Sequence, residues 1–404
     1  MAETSSICRV AVTRNRAEPL LGSGAAASTT DKVWCWGSDN MLPYALSLIA
    51  RNSVAHRRII NDKANYIAGK GITCDENNPL LQSIIARANG ESETLRSIVA
   101  RLSLDKAIFG NAFMEVVTDD NHSFLSFYHI DASACRLARD NEHVVLHHNW
   151  AMFRASEAVT LPLYPRFESH EDGTLRTVVH YKDYEPMFAH YGVAPYVAGL
   201  DAAAILYKTD RWNVERIDNS FKPSGVMILD GAASNEEDAE RLVRMAEERF
   251  AGSPGQVLFV LRNNGENSSS QFIPLDNNTD GDWTKLHDEA ESDLVVAHSW
   301  FRSLSGLDYS SGFSTERILH EYEVALNTVI LAEQEQILEP IRHIISSILH
   351  TDTSSMSIIN KPPMQARPSY MRVWEARKAD GLDYDENAPD QQLFLAEITN
   401  RNRL

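Results

Sequence analysis

The residues best placed to do chemistry form a run of carboxylates in the last third of the chain: Asp280, Asp282, Asp288, Glu289, Glu291 and Asp293. Carboxylates that converge on one point can hold two divalent cations and activate water against a phosphodiester, the chemistry of a metal-dependent nuclease. The spacing favours a different use. At 3.6 residues per turn Asp282, Glu289 and Asp293 fall on one helical stripe, while Asp288 and Glu291 face elsewhere. A solvated or channel-facing acidic stripe is therefore the expectation, and a nuclease using residues 280–293 is the alternative.

The other reactive residue types are scattered. His147 and His148 are adjacent, not four apart, and on a strand two such rings point to opposite faces, so no metal site is expected there. Cys8, Cys35, Cys74 and Cys135 lie in the first third with no C-x-x-C spacing. They read as free thiols in a reducing compartment. The chain has no G-x-x-x-x-G-K-[ST] phosphate loop, no G-x-S-x-G nucleophile elbow and no H-E-x-x-H zinc pair. Ser-His-Asp groups meet in space and not in order, and nothing in the sequence favours one. No catalytic residue, cofactor or metal ligand is assigned, and the chain is expected not to be an enzyme.

Composition sets the frame for these residues. The 404-residue chain is 43% apolar and 23% charged, with a net charge of −18. That is enough apolar material for two or three packed units without covalent staples. The acidic balance is the reverse of a surface that grips phosphates through lysine and arginine. It suits a soluble protein, or a wall past which DNA slides. No apolar run is long enough to cross a membrane, and residues 1–6 lack a signal-peptide core.

Periodicity predicts the elements that position the acids. Residues 1–31 are small and polar and read as a flexible arm. Amphipathic spacing predicts helices from Leu42 to a stop at Gly69, over 78–88 and over 93–109. Short β-rich runs at 112–117, 123–130, 135–138, 144–146, 158–163 and 175–181, separated by Asp/Asn/Gly turns, predict antiparallel strands. A helix follows from Tyr196 to about residue 220, on which Leu200, Ala203, Ala204, Tyr207, Arg211, Val214 and Ile217 can share a face. Next comes a βαββ pattern over 225–274, whose helix opens at Asn235 and ends at Gly252. Residues 280–304 are helical, 305–314 form a Gly/Ser loop, and a long helix runs from Thr315 to about His350, with a bend expected at Pro340. One more strand is expected at 356–359 and a short helix from about Pro389. An insert carried between two helices implies a protrusion.

Several stretches, in order, resemble the portal proteins of tailed bacteriophages, of the long-tailed phage and defective prophage type. They are Trp36-Gly37-Ser38-Asp39-Asn40-Met41-Leu42-Pro43 with Ile67-Ala68-Gly69-Lys70-Gly71-Ile72, then Tyr191-Gly192-Val193-Ala194-Pro195-Tyr196. Asn219-Ser220-Phe221-Lys222-Pro223-Ser224-Gly225-Val226 and Phe250-Ala251-Gly252 follow, with Ala297-His298 and Leu304-Ser305-Gly306-Leu307 last. The resemblance covers roughly residues 33–350. It departs from the family where Trp300, Phe301 and Arg302 stand in place of prolines.

The resemblance implies an α+β portal-type fold with an α/β wing, two stem helices, a small βαββ clip and a long C-terminal wing helix. Its boundaries would be an N-terminal arm at 1–32, the wing at 33–194 and 315–360, stem helices at 195–221 and 280–304, the clip at 222–279, a tunnel loop at 305–314 and a short crown-like tail at 361–404. It implies a head–tail connector subunit, a dodecameric homo-oligomer through which double-stranded DNA is packaged and ejected. Partners would be the terminase large subunit, head–tail connector proteins and the major capsid protein, with DNA held non-specifically in the channel and no membrane. The subunit would be assembled in the host cytoplasm and sit at the portal vertex of the virion. Tyr309, Ser310, Ser311, Gly312 and Phe313 would meet DNA in the channel, Asp288, Glu291 and Asp293 would face the bore, and Glu236, Glu237, Asn263 and Asn264 would form the clip docking surface. Another capsid or tail assembly protein is the second alternative.

Overall fold

A computed structural model describes residues 32–218, 225–230, 257–262, 271–274, 280–307, 315–364, 371–379, 383 and 385–394. Its helices are α1 (Leu42–Asn52), α2 (Val54–Ala68), α3 (Pro79–Ala86), α4 (Leu95–Phe109), α5 (Leu200–Asp218), α6 (Asp280–Ala297), α7 (Thr315–Ala325), α8 (Leu331–Leu349) and α9 (Val373–Ala379). The strands are β1 (Ile72–Thr73), β2 (Asn111–Thr118), β3 (Leu125–Ile130), β4 (Cys135–Leu137), β5 (His143–Leu146), β6 (Val159–Pro162), β7 (Glu168–Ser169), β8 (Leu175–Lys182), β9 (Gly225–Asp230), β10 (Val257–Arg262), β11 (Gln271–Pro274) and β12 (Ser357–Ile358). The chain divides into two compact units, with the divisions between Asn61 and Asp62, between Ser103 and Leu104, and between His298 and Ser299.

The first unit holds three sheets. One is antiparallel in the order β3-β2-β8-β7, and a second is antiparallel in the order β4-β5-β6. Strand β2 is buried on both faces at Ala112, Phe113 and Met114. Its side chains are buried on both faces nearly throughout, so it reads as a continuous apolar run, and strands pair with both its edges. The unit's core gathers Trp36, Leu46, Ile60, Phe109, Phe113 and Tyr196. The third sheet has the order β10-β9-β11, with β10 parallel and β11 antiparallel to β9. Parallel neighbours cannot be joined by a tight turn, so β9 and β10 are not a hairpin. The helix expected from Asn235 to Gly252 lies outside the described residues.

The second unit has its own core, in which Leu81, Leu95, Ile98, Leu102, Ile337 and Ile341 are buried. Strands β1 and β12 pair through Ile72 and Ile358. At the end of α2, Gly69 takes φ +61°, and a Cβ there would stand 2.3 Å from the Ile358 side chain. The Arg96 guanidinium donates to the Gly69 carbonyl.

Four local expectations are corrected. The helix from Leu42 is broken at Ser53, which is extended at φ −111° and ψ 128°. The Ser53 Oγ accepts the His56 N–H at 3.3 Å and so caps the new helix. The long C-terminal helix is not one regular helix but is divided into α7 and α8 by a π turn at Leu326–Ile330. There Asn327 and Thr328 donate to the Glu323 and Val324 carbonyls, drawing those acceptors away from the regular ladder. The buried seam consequently steps five residues, from Ala325 to Ile330, and leaves Leu326 and Val329 half-buried. On α5 the buried positions are Ala202, Ala203, Leu206 and Thr209, while Tyr207, Arg211 and Val214, read as part of the apolar face, are exposed. The helix expected from about Pro389 is absent through residue 394, and α9 forms earlier in the tail.

Candidate functional site

Helices α5 and α6 pack along each other. Their sense follows from two contacts. Gly199, in the 3-10 turn that opens α5, lies against Leu294 and Ala297 at the far end of α6. Further along, the Asp210 carboxylate is 3.8 Å from His287 Nε2. The pair is therefore antiparallel. The approach is close because the residues at the crossing are small. A Cβ built on Gly199 would stand 2.6 Å from the Ala297 Cβ. Leu206 and Leu294 are fully buried beside it, each contributing about 2 kcal/mol of apolar burial. The sequence between α5 and α6 holds the β9/β10/β11 sheet.

The lead-in to α5 is fastened by the Tyr191-Gly192-Val193-Ala194-Pro195-Tyr196 stretch. The Tyr191 hydroxyl donates to the Trp34 carbonyl at 2.8 Å and accepts the Leu137 N–H at 2.9 Å. Its ring stacks on Trp36 at 4.5 Å and 6°. Asn111 Oδ1 accepts the Gly192 N–H at 2.8 Å, while its amide donates to the carbonyls of Gly192 and Phe109. The Tyr196 hydroxyl donates to the Ile108 carbonyl at 2.8 Å. Gly110 sits at φ +66°, and a Cβ on it would fall 2.0 Å from the Val193 carbonyl oxygen. A Cβ on Gly192 would fall 2.3 Å from the Gly110 carbonyl oxygen. Gly110 is thus held to glycine by its positive φ and the Val193 carbonyl, and Gly192 by the backbone carbonyl of Gly110.

Beside this junction Arg136 is almost wholly buried, and none of its hydrogen-bond partners among the described residues is a carboxylate. It donates to Asn40 Oδ1 and to the carbonyls of Asn40, Ser133 and Cys135, and it lies over the rings of Trp36 and Trp150. Burial lowers its pKa to about 10, so it stays charged at neutral pH. Asn40, at φ +64°, also accepts the Trp36 N–H, which ties the turn before α1 to this cation. His56, Tyr196 and His298 form a second buried group, with ring centroids 4.5 to 5.1 Å apart. Burial holds the His56 pKa down at about 4.

The acids assigned to the bore separate. Asp288 and Asp293 are exposed, whereas Glu291 is 6% exposed and does not face solvent in the single chain. Glu289 and Asp293 lie on the groove between α5 and α6, together with Asp201. Among the described residues the carboxylates of 280–293 form no cluster around a common point of the kind that would hold a metal. Tyr309, Ser310, Ser311, Gly312 and Phe313 lie outside the described residues, as do Glu236, Glu237, Asn263 and Asn264.

His147 and His148 lie past the end of β5, and their rings stack at 4.8 Å and 23°. The expectation of opposite faces fails because the backbone there is not a strand. With Glu157 they bring three ligand-type atoms within 4.8 Å of one another. The arrangement does not suit a cation, because His147 Nδ1 accepts the Asn149 N–H at 3.0 Å. A ring that also ligated through Nε2 would have to give up both protons.

Sequence reasoning missed Asn111, Arg136 and the His56–Tyr196–His298 group. The one available signal was the pair of turn glycines at 110 and 192.

No protein-family model matches the chain. An uncharacterized protein of Rickettsia felis is 21% identical over 233 residues, covering 57% of each chain. One of Rickettsia bellii is 22% identical over 280 residues, covering 68% of this chain and 67% of its own. The chain thus spans little more than half the length of the first of these relatives. Among solved structures, a chain from the neck of an empty gene transfer agent particle, computed with C6 symmetry, is 15% identical. It superposes at TM-score 0.52 over 89% of this chain and 98% of its own. A chain from the native particle's neck, computed with C12 symmetry, gives 0.51 over 89% and 98% at 14% identity. An HK97 family phage portal protein from Corynebacterium diphtheriae gives 0.47 over 78% and 96% at 13% identity. At these identities the two neck chains share the fold with this chain and nothing finer.

Proposed function

We propose that this chain, portal-type in fold, is the subunit of a ring through which DNA passes into and out of a phage-like particle. Under this reading residues 33–194 and 315–360 are the wing, 195–221 and 280–304 are the two stem helices, and 222–279 is the clip. The observation that carries the reading is the antiparallel α5/α6 pair with a small three-stranded sheet held in the sequence between them. Two helices with adjacent ends can hold such a sheet clear of a body as a docking tip. The terminase motor would dock there during packaging and connector proteins afterwards. The C12 symmetry used for the neck that contains a chain of this fold supports a dodecamer.

The charge fits a passage better than a grip. A wall with net negative charge repels phosphates over about 8 Å at physiological salt, so DNA can be driven along it without adhering. Exposed Asp288 would contribute to that wall, and residues 305–314 would form the tunnel loop. The chain would perform no chemistry of its own, and a separate ATPase would supply the work.

Genome filling tests this function. Cells that make particles but lack this chain should yield heads without DNA, with filling restored by supplying it from a plasmid. Filled heads in its absence would reject the proposal.

A further inference from the structure

The face between α5 and α6 opposite their shared core is an open groove of about 410 Å³. Its floor is small and apolar, with Ala202, Ile205 and Ala290, and Val296 stands beside it 75% exposed. Its charged lining is wholly acidic: Asp201, Glu289 and Asp293. Elsewhere in the same unit α1 has the opposite character. Its sequence, LPYALSLIARN, contains no acid. Leu42, Leu46 and Ala50 turn inward, which leaves Tyr44 66% exposed, Leu48 51% exposed and Arg51 exposed at i, i+4 and i+7. Val54, at the start of α2, is 82% exposed.

Resting on the ring reading above, we infer that the groove receives the α1 face of a second copy of this chain, with Tyr44, Leu48 and Val54 on its apolar floor and Arg51 among its acids. Copies that each carry −18 repel, so a stable contact must set a local base against local acids. The helix without acids and the groove without bases are complementary in this sense. They also share no residue, so the contact is head-to-tail. A self-complementary patch would stop at a dimer, whereas a head-to-tail contact repeats around an axis and closes into a ring.

The test is a charge exchange read by sedimentation velocity on the full chain, with circular dichroism to establish folding. The Leu48→Asp, Arg51→Glu variant should stay folded and lose the ring, its association weakened at least tenfold. The Asp201→Lys, Glu289→Lys, Asp293→Lys variant should behave in the same way. An equimolar mixture of these two can alternate, so that every second contact is wild-type and the others set the altered helix against the lysine groove, and it should recover association that neither variant shows alone. A single chain carrying Arg51→Glu with the three lysine substitutions restores opposite charges in every contact and should recover the ring. Rings that persist in both charge variants, or a combined variant no better than either, would overturn this interface and leave the ring reading standing. A wild-type chain that stays monomeric would overturn both.

Discussion

Gly199→Ala probes the close approach of α5 and α6 with a single methyl group. The added Cβ would lie 2.6 Å from the Ala297 Cβ and 3.4 Å from Leu294 Cδ1. Carbon atoms pack at about 3.5–4.0 Å, so the helices must part by roughly 1 Å. Overpacking of this kind costs about 1–3 kcal/mol. Against it stands a gain of about 0.4–1 kcal/mol from restricting the unfolded chain, because Gly199 is not at positive φ. The net expectation is a loss of about 1–2 kcal/mol. Ala297→Gly removes the atom that is struck, and by itself costs up to about 1 kcal/mol of helix propensity. In the double variant the overpacking should vanish, giving a favourable coupling of about 1–2 kcal/mol in a double-mutant cycle. Urea unfolding of the four proteins measures it. A neutral Gly199→Ala, or a double variant whose loss is the simple sum of the two singles, would refute the side-by-side placement of the two helices.

Other expectations concern the junction, the buried histidines and the loop. Asn111→Ala strands buried backbone groups of Phe109 and Gly192 and should cost about 2–4 kcal/mol in urea unfolding, with a larger loss than Tyr191→Phe. Tyr191→Phe keeps the Trp36 stack but leaves the Leu137 N–H without its acceptor, and should cost about 1–2 kcal/mol. Burial lowers His56 to about 4 and His180 to about 3, so the unfolded chain binds more protons below the ordinary histidine pKa. Their stabilising contribution is complete above about pH 6.5 and is lost as pH falls towards 4 and 3. Urea midpoints should therefore drop across that window, and His56→Phe should flatten part of the drop; a midpoint independent of pH between 6.5 and 4 would contradict this. Deleting Ser310–Gly312 should leave the ring assembled and reduce the DNA retained per particle, measured by quantifying encapsidated DNA.

The fold was legible where a signal is local. The β2, β3 and β8 runs, the Gly69 stop, and helices α4 and α5 follow from periodicity and turn chemistry within a few residues of their observed ends, whereas α6 stops at Ala297, well short of the expected residue 304. Strand β12 was visible although its partner β1, a long way back in the chain, was not. What escaped depends on contacts made across the chain or on competition for one hydrogen bond. The Ser53 break needs a serine to cap an N–H in place of the helix ladder, and the π turn needs Asn327 and Thr328 to hold carbonyls that α7 would otherwise use. At the candidate site, only the fold shows that a Cβ on Gly192 would strike the Gly110 carbonyl and one on Gly110 the Val193 carbonyl. Asn111 and Arg136 look like ordinary strand residues, because their partners at Gly192 and Asn40 are distant in sequence. The burial of Glu291 turns on which side of α6 meets the body, which helical spacing alone does not decide.

Electron microscopy of the purified chain, with its mass measured by native mass spectrometry, bears most directly on the claim that this is a ring-forming channel subunit. A ring with a central hole and about twelve times the 45.3 kDa mass of one chain is the expected result. A 45.3 kDa particle at high concentration, or a closed assembly with no passage through it, would contradict the account.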